Sequence, residues 1–325
     1  MKKIVLFDPS YGTSNLGDFI INEAVMREMN FLFDRHYLVR YSTHNPIMHL
    51  HQLLRRHNNT INCSPDNLKF LGGSNIFKQN LLKYTLDWNI NIFTKGLYRN
   101  SVTIGGGSEG NPKTINRYTR NIYKTVLAKN YIHSVRDNKT KGFLETMGFS
   151  AINTGCPTLW GLDEEHCSQI NTRKSKDVVF TLTANKNDLH SDQKLIDILV
   201  ENYEKVYFWV QGTEDKVYFD KLKNTSSIQV INPSLEAYRQ LLKTGDVDYV
   251  GTRLHAGIFA MQHKVRAIVL IVDNRARDMH EDFNVNAIDR DNMEQLEIMI
   301  NSEFTTSIKI DKKKIEEWKN QFTNY

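Results

Sequence analysis

Short apolar runs alternate with amphipathic stretches along most of this chain. Runs such as Ile4 to Phe7, Val178 to Leu182 and Ala267 to Val272 have the length and β-branched content of buried strands. The stretches between such runs carry apolar residues three and four positions apart, which is typical of helices. This alternation predicts parallel βαβ units, in which a helix connects each strand to the next. The predicted fold class is therefore α/β.

The alternation is interrupted once, and the interruption predicts the domain boundaries. Polar residues dominate 163–176, and the strand pattern starts again after them. We expect an N-terminal Rossmann-like domain over 1–162, a linker over 163–176 and a C-terminal Rossmann-like domain over 177–309. Both domains are expected to be doubly wound, with a cleft between them. The last segment, 310–325, has apolar residues at helical spacing and predicts an amphipathic helix, for which packing on a domain is favoured over binding a membrane surface.

Composition excludes several classes of protein. The chain has 325 residues with 24% charged content and a formal charge of +5, without the clustered basic stretch of a nucleic-acid-binding protein. The apolar run at the N-terminus stops after four residues at Asp8-Pro9, so we interpret it as a strand and not a signal peptide. The three cysteines have neither a paired nor a zinc-binding spacing, which favours a reducing, cytoplasmic location; they are Cys63, Cys156 and Cys167.

The segment Arg253-Leu254-His255 carries the clearest chemical signal. It follows the predicted strand 247–250 and leads into a predicted helix. Ligands of open α/β sheets bind at this edge, where strands end and helices begin. Arginine binds phosphate or carboxylate through a planar fork, and histidine can transfer a proton near neutral pH. The segment therefore predicts an anionic substrate and acid–base chemistry, and the alternative is a buried Arg–His pair that only stabilises a loop.

Strand ends in the N-terminal domain supply further candidates. Glycine at such positions lets a ligand approach the backbone. We expect Arg136 and Arg253 to bind one anion from the two walls of the cleft. The alternatives are that Asp18 only caps its helix and that Arg136 only pairs with Asp137 or the linker. The candidates are Asn15, Gly17, Asp18, Gly73, Gly106, Gly107, Arg136 and Asp137.

Several other patterns have weaker claims. Gly105, Gly107 and Gly110 fit the G-x-G-x-x-G pattern of a dinucleotide-binding turn, but the acid that follows comes late and directly after an arginine. Dinucleotide binding is therefore disfavoured. A solvated loop is expected for Arg275 and Arg277, and packing for His133 and His263. The histidines at 44, 49, 51 and 57 lack the spacing of metal ligands, and no metal site is expected.

The order of these motifs resembles the polysaccharide pyruvyl transferases, over roughly residues 4–280. The motifs are Asn15 to Asp18, Gly72-Gly73, Gly105 to Gly107, Ser134 to Asp137 and Arg253 to His255, and the segment Thr154 to Trp160 is also similar. The resemblance implies a fold similar to GT-B glycosyltransferases. It implies transfer of the pyruvyl group of phosphoenolpyruvate to two hydroxyls of a sugar, which gives a cyclic ketal in bacterial surface or exopolysaccharide biosynthesis. It implies no cofactor, nucleotide or metal.

The resemblance also implies roles for residues of this chain. Arg253, Leu254 and His255 would hold the donor from the C-terminal side, and Arg136 would contact it from the N-terminal side. We assign His255 as the acid that protonates the donor carbon, although it could instead hold the phosphate. Asp18 or Asp137 is the expected base. The acceptor, a sugar or a lipid-linked oligosaccharide, is expected on the N-terminal side. The implied location is cytoplasmic, with contact at the inner face of a membrane left open together with the oligomeric state.

Two rival functions remain open at this stage. A nucleotide-sugar glycosyltransferase of the same fold would need an acid for the ribose late in the second domain, and Glu281 or Asp282 could serve. A non-catalytic carbohydrate-binding protein could have kept the fold without the chemistry, because fold does not determine function. The segment 35–67, rich in His and Asn, matches no known motif and is expected to contribute acceptor specificity.

Overall fold

A computed structural model of the protein describes residues 3–55, 61–83, 88, 90–108 and 114–325. The chain divides into two compact units. The N-terminal unit comprises Met1–Thr13, Ile21–Trp160 and Asp311–Tyr325, and the C-terminal unit comprises Ser14–Ile20 and Gly161–Ile310.

The elements up to Trp160 alternate as the apolar pattern predicts. In chain order they are β1 (Lys3–Asp8), α1 (Leu16–Glu28), α2 (Asn30–Phe33), β2 (Tyr37–Ser42), α3 (Leu50–Leu54), β3 (Leu68–Phe77), β4 (Ser101–Ser108), α4 (Arg117–Val126), β5 (His133–Val135), α5 (Asn138–Glu145) and β6 (Ala151–Asn153). The strands form one parallel sheet in the order β2-β1-β3-β4-β5-β6. The order reverses beside β1, so ligands are expected near the carboxyl ends of β1 and β3.

The elements after Trp160 build a second parallel sheet. In chain order they are α6 (Glu164–Ser168), β7 (Asp177–Thr181), α7 (Leu189–Asn202), β8 (Val206–Trp209), α8 (Asp215–Phe219), β9 (Gln229–Ile231), α9 (Leu235–Lys243), β10 (Val247–Gly251), α10 (Leu254–Gln262), β11 (Ala267–Ile271), α11 (Asn274–Phe283), β12 (Ala287–Asp289), α12 (Met293–Asn301) and α13 (Lys312–Asn320), the last of which belongs to the N-terminal unit. The strand order β12-β11-β10-β7-β8-β9 is that of a Rossmann fold and reverses between β7 and β10.

Two segments differ from the elements that the sequence pattern predicts. The segment predicted as a linker, 163–176, contains helix α6, which Asp163 caps by accepting a hydrogen bond from the backbone N–H of His166. The predicted solvated loop around Arg275 and Arg277 is wrong, because both residues lie in α11. Asp273 caps that helix and also pairs with Arg275.

The expectation that Gly73, Gly106 and Gly107 lie at the ends of β3 and β4 is also wrong. Both strands continue through their glycines, to Phe77 and Ser108. A Cβ placed on Gly73 would lie 2.8 Å from Cγ2 of Ile21 on α1. The missing side chain at this position therefore permits close packing of a helix on the sheet and does not form a turn.

Each unit has its own core, and the C-terminal helix completes the first. The N-terminal core is centred on Phe77, Trp88 and Tyr123, whose rings lie 5.5–6.0 Å apart. Trp318 of α13 is fully buried, 5.8 Å from the ring of Trp160. The interpretation that this amphipathic helix packs on a domain is confirmed. Across the described ranges, none of the helices has the length and apolar character needed to cross a bilayer.

Candidate functional site

The carboxyl ends of β7 and β10 meet where the strand order of the second sheet reverses. A Cβ on Gly251 would lie 2.7 Å from the backbone nitrogen of Thr181, so only glycine permits this approach. The hydroxyls of Thr181 and Tyr249 are 2.7 Å apart, and the Tyr249 hydroxyl donates to the backbone oxygen of Arg253 over 2.8 Å. The backbone is therefore fixed just before the predicted anion-binding arginine.

Arg253 does not point freely into solvent. Its Nη2 donates to both carboxylate oxygens of Asp215 at 2.5 and 2.7 Å, and its Nε donates to the backbone oxygen of Leu182 at 3.0 Å. The fork that was predicted to bind an external anion thus already holds a carboxylate of the protein on one edge. Among the described residues, Nη1 has no hydrogen-bond partner, and the side chain keeps 15% of its surface exposed. The second edge of the guanidinium remains available to a ligand.

Asp215 is a residue that sequence reasoning missed. Its carboxylate is buried and also accepts hydrogen bonds from the backbone N–H groups of Gly212, at 2.8 Å, and Ala184, at 3.1 Å. Together with Nε and Nη2 of Arg253, four donor groups therefore fix the position of this carboxylate. The only sequence signal for Asp215 is its position shortly after the end of β8. Its neighbours in the sequence do not distinguish it from other acidic residues.

The Asn-x-Gly-Asp segment lies against the same strand end, within the C-terminal unit. Asn15 pairs with Gly212 in an antiparallel bridge, and the side chain of Gln211 donates to its Oδ1 at 2.8 Å. The N–H of Gly17 donates to the same oxygen at 3.1 Å. A Cβ on Gly212 would lie 2.7 Å from Nη2 of Arg253. Two predicted motifs far apart in the chain, Asn15–Gly17 and Arg253, are therefore neighbours through Gly212.

His255, Leu254 and Asp18 lie in first turns of helices. His255 and Leu254 are buried at the start of α10. That helix packs tightly, since a Cβ on Gly257 would lie 2.7 Å from Val269. Asp18 is buried in the first turn of α1, where a carboxylate interacts favourably with the helix dipole. The structure thus places His255 two residues from the arginine, in a rigid element.

In the N-terminal unit, Arg136 is buried at the end of β5 and is held by neighbours. Its N–H donates to the backbone oxygen of Gly106 at 3.1 Å, and its guanidinium lies against Gly107, where a Cβ would overlap it. Nη2 donates to Oδ1 of Asn75, and Nε lies 3.5 Å from the carboxylate of Asp137. Gly106 and Gly107 therefore make room for the arginine. The alternative considered for Arg136, a pairing with Asp137, is present in the structure, and its role in binding an anion stays a prediction.

Of the two residues that contact the guanidinium of Arg136, the sequence indicated Asp137 but not Asn75. Asp137 caps α5 by accepting from the N–H of Thr140 at 2.6 Å, so this carboxylate has a structural role. Asn75 was missed, although the residue before it is unusual. Ser74 has φ 107°, a conformation that side chains rarely adopt, at a bulge between β3 and β4. Strain of this kind is often found where a side chain is aimed at a functional group.

Patterns judged weak at the sequence level also have clear positions. Strand β4 runs through Gly105 and Gly107, so these glycines do not form a dinucleotide-binding turn; Gly110 lies outside the described residues. His133 is buried with Nε2 2.9 Å from the backbone oxygen of Ala128, and burial lowers its pKa to about 4. The packing interpretation of His133 is confirmed.

The fold has known structural relatives. A UDP-GlcNAc 2-epimerase from Methanocaldococcus jannaschii, solved with UDP-GlcNAc and UDP, superposes with a TM-score of 0.58 at 17% identity, covering 100% of both chains. S. aureus MnaA, solved with UDP, superposes with a TM-score of 0.56 at 9% identity, covering 98% of this chain and 91% of its own. These likenesses concern the fold alone. The predicted class, α/β with two doubly wound Rossmann-like units of the GT-B type, is confirmed.

The sequence identifies the family. Residues 15–274 match the polysaccharide pyruvyl transferase family, and the chain belongs to it. The predicted resemblance is therefore confirmed, and the protein is of the transferase class. No curated protein matches the chain in sequence. The matched range includes the Asn15–Asp18, Arg136 and Arg253–His255 segments described above.

Proposed function

We propose that this protein transfers the pyruvyl group of phosphoenolpyruvate to two hydroxyls of a sugar, forming a cyclic ketal on a bacterial surface polysaccharide or its precursor. The observation that carries the proposal is the position of Arg253. It lies at the topological switch point of its sheet, with one guanidinium edge fixed by Asp215 and Nη1 unengaged among the described residues. Family membership supplies the reaction class.

The donor needs cationic and backbone partners because it carries both a carboxylate and a phosphate. The open edge of Arg253 suits one of these groups, since guanidinium binds such oxygens with fixed geometry. Because Asp215 already neutralises part of the charge of Arg253, that arginine alone would bind a dianion weakly. Arg136 is the second cation in this proposal, and that it faces the same cleft as Arg253 stays a prediction.

Smaller roles follow from the same arrangement. Leu254 would contribute apolar contact beside the donor, and Asn15 and Gly17 would shape the wall around Gly212. In the other unit, Gly106 and Gly107 would hold Arg136 close to the backbone. Gly73 contributes by letting α1 pack closely on β3.

The chemistry requires one proton donor and one base. His255 would protonate the methylene carbon of phosphoenolpyruvate, which makes the neighbouring carbon electrophilic. A sugar hydroxyl then forms a C–O bond to that carbon and loses its proton to a base, and the bond to phosphate breaks. The second hydroxyl bonds to the same carbon and also loses a proton, so the products are the ketal and inorganic phosphate. Asp18 is the preferred base, because Asp137 already caps α5 and pairs with Arg136.

A phosphate-release assay tests the proposal. The protein would be incubated with phosphoenolpyruvate and a panel of galactosides and amino-sugar glycosides, with product masses measured in parallel. We expect phosphate release that depends on one acceptor class, and a matching acceptor with the added mass of a ketal-linked pyruvyl group. Turnover of a UDP-sugar on the same panel, with phosphoenolpyruvate left intact, would instead establish a glycosyltransferase.

A further inference from the structure

The described parts of the connection between β3 and β4 expose large apolar side chains at two places, a tip at Leu82 and a tip at Ile92-Phe93. Leu82 is 69% exposed in the loop after β3, and Ile92 and Phe93 are 54% and 69% exposed nearer to β4. Inward-facing neighbours such as Leu81 and Leu97 are buried in the core. Buried residues therefore pack these segments against the core, and the exposed apolar side chains take no part in that packing. Exposed apolar side chains indicate an interaction surface when they belong to one patch.

Both tips are anchored to one short stretch at the start of α4. Asn116 donates from its side chain to Oδ1 of Asn80 at 2.8 Å, and that oxygen also accepts from the N–H of Leu82 at 3.0 Å. The hydroxyl of Tyr118 accepts from the N–H of Ile92 at 3.1 Å. The two tips are thus held by residues two positions apart, which makes them parts of one surface.

The backbone donors at these tips are satisfied inside the protein. Besides Leu82 and Ile92, the N–H groups of Phe93 and Thr94 both donate to Oδ1 of Asn91, at 2.9 and 3.1 Å. Bonds of this kind are common in solvent-exposed turns, and they are compatible with an interfacial environment because they leave these N–H groups paired.

Basic residues lie close in sequence to the apolar tips and to their anchoring residues. Lys83 follows Leu82, Lys95 lies two positions after Phe93, and Arg117 lies between the two anchoring residues of α4. None of the three forms an ion pair with a described residue. Apolar side chains combined with lysine and arginine are the composition of surfaces that bind anionic bilayers, where the chains enter the interface and the cations meet headgroups.

We propose that Leu82, Ile92 and Phe93, with Lys83, Lys95 and Arg117, form a surface that docks on an anionic lipid bilayer. This docking surface lies wholly within the N-terminal unit and does not depend on the reaction proposed above. It would bring the protein to acceptors carried on lipid. The occupant is the bilayer itself, because the surface combines exposed apolar side chains with cations that have no ion pair among the described residues, and anionic headgroups complement that charge.

Vesicle flotation tests the docking surface with the full-length protein. We expect binding to vesicles of phosphatidylcholine mixed with phosphatidylglycerol, weak binding to phosphatidylcholine alone, and loss of binding at high salt. Phe93→Ser should weaken binding about tenfold, because a Phe side chain then leaves the bilayer interface. Lys83→Glu should weaken binding only to the anionic vesicles. The matched control is Ile298→Ser, which removes a side chain that is 60% exposed on α12 of the other unit.

Two further measurements distinguish membrane binding from misfolding and from self-association. Thermal unfolding of Phe93→Ser should match that of the wild type, since the side chain is exposed. Equal binding of wild type and Phe93→Ser, or no binding of wild type to either vesicle, would overturn the proposal. So would concentration-dependent self-association in sedimentation velocity that Phe93→Ser abolishes, because the surface would then be a contact between copies of this chain.

Discussion

The guanidinium of Arg253 and the carboxylate of Asp215 form a two-point ion pair where the strand order of the second sheet reverses. The carboxylate is itself fixed by the backbone N–H groups of Ala184 and Gly212. The orientation of Arg253 is therefore set before any ligand binds. Preorganisation of this kind reduces the entropy that binding must overcome.

Replacing Asp215 tests this relationship. Asp215→Asn keeps the shape of the side chain but removes its charge, which leaves the largely buried guanidinium unpaired. We expect a loss of about 3 kcal/mol in the free energy of unfolding, measured by urea denaturation. We also expect phosphoenolpyruvate to bind about tenfold more weakly in calorimetry, because the lost orientation of Arg253 outweighs the gain in net positive charge.

A double-mutant cycle separates positioning from general damage. If Asp215 acts on the ligand only through Arg253, adding Asp215→Asn to Arg253→Ala should not weaken phosphoenolpyruvate binding further. If the double variant instead loses affinity by the product of the two single-variant factors, Asp215 acts by a route that does not involve Arg253. Arg253→Lys should also bind the donor more weakly, because lysine cannot form the planar fork.

His255 can be tested against a second histidine at the far end of the same helix. We expect His255→Ala to lower the rate of phosphate release by about 10²-fold, the usual scale of general acid catalysis. His263→Ala is the control, because that histidine lies at the other end of α10 and its Nδ1 is 2.8 Å from the backbone oxygen of Phe259. Circular dichroism would confirm that both variants fold. Equal rates for the two variants would exclude His255 from the chemistry.

The strained backbone at Ser74 gives a prediction about stability. Ser74→Gly should raise the free energy of unfolding by about 1 kcal/mol, because glycine adopts a φ near 107° without steric cost. Ser74→Ala keeps a Cβ and should give no gain. The two variants would be compared by thermal unfolding, and a gain in Ser74→Ala alone would mean that the hydroxyl, not the backbone, is the source of strain.

The buried histidine of β5 predicts a specific pH dependence. Burial lowers the pKa of His133 from 6.5 to about 4, so the folded protein favours the neutral ring. Above the unfolded pKa both states are neutral and the group has no effect. As the pH falls from about 6.5 towards 4, the unfolded state binds a proton that the folded state does not, and stability is lost, by up to about 3 kcal/mol. The free energy of unfolding, measured with urea, should fall more steeply with decreasing pH in the wild type than in His133→Gln over this range. The same pH dependence in both proteins would contradict the lowered pKa of His133.

Much of the fold could be predicted because local patterns agree with it. Ser234 precedes an amphipathic stretch, a pattern typical of a helix N-cap, and its hydroxyl accepts from the N–H of Ala237 at 3.1 Å. The strands were recognised by their apolar runs, since buried parallel strands have no polar face. Glycine was harder to interpret, because the same residue is favoured where a ligand approaches the backbone and where a neighbouring side chain packs closely against it. Gly73 and Gly107 were assigned to strand ends that a ligand approaches, but they make room for Ile21 and for the side chain of Arg136.

The candidate site was only partly visible in the sequence, for a related physical reason. Arg253 and His255 stand next to a strong strand, so their position at the sheet edge could be predicted. Asp215 and Asn75 hold the two arginines, but a single acid or amide has no local signal until the sheet brings the strand ends together. Contacts between residues 38 and 61 positions apart are set by topology, not by neighbours in sequence.

The most direct test follows the three-carbon unit itself. Phosphoenolpyruvate labelled with ¹³C at the carbon that bears the phosphate would be incubated with the protein and the acceptor found in the phosphate-release assay. We predict a labelled quaternary ketal carbon on the sugar in the ¹³C NMR spectrum, together with one phosphate for each ketal. Release of free labelled pyruvate with an unmodified sugar, or no consumption of phosphoenolpyruvate at all, would contradict ketal transfer.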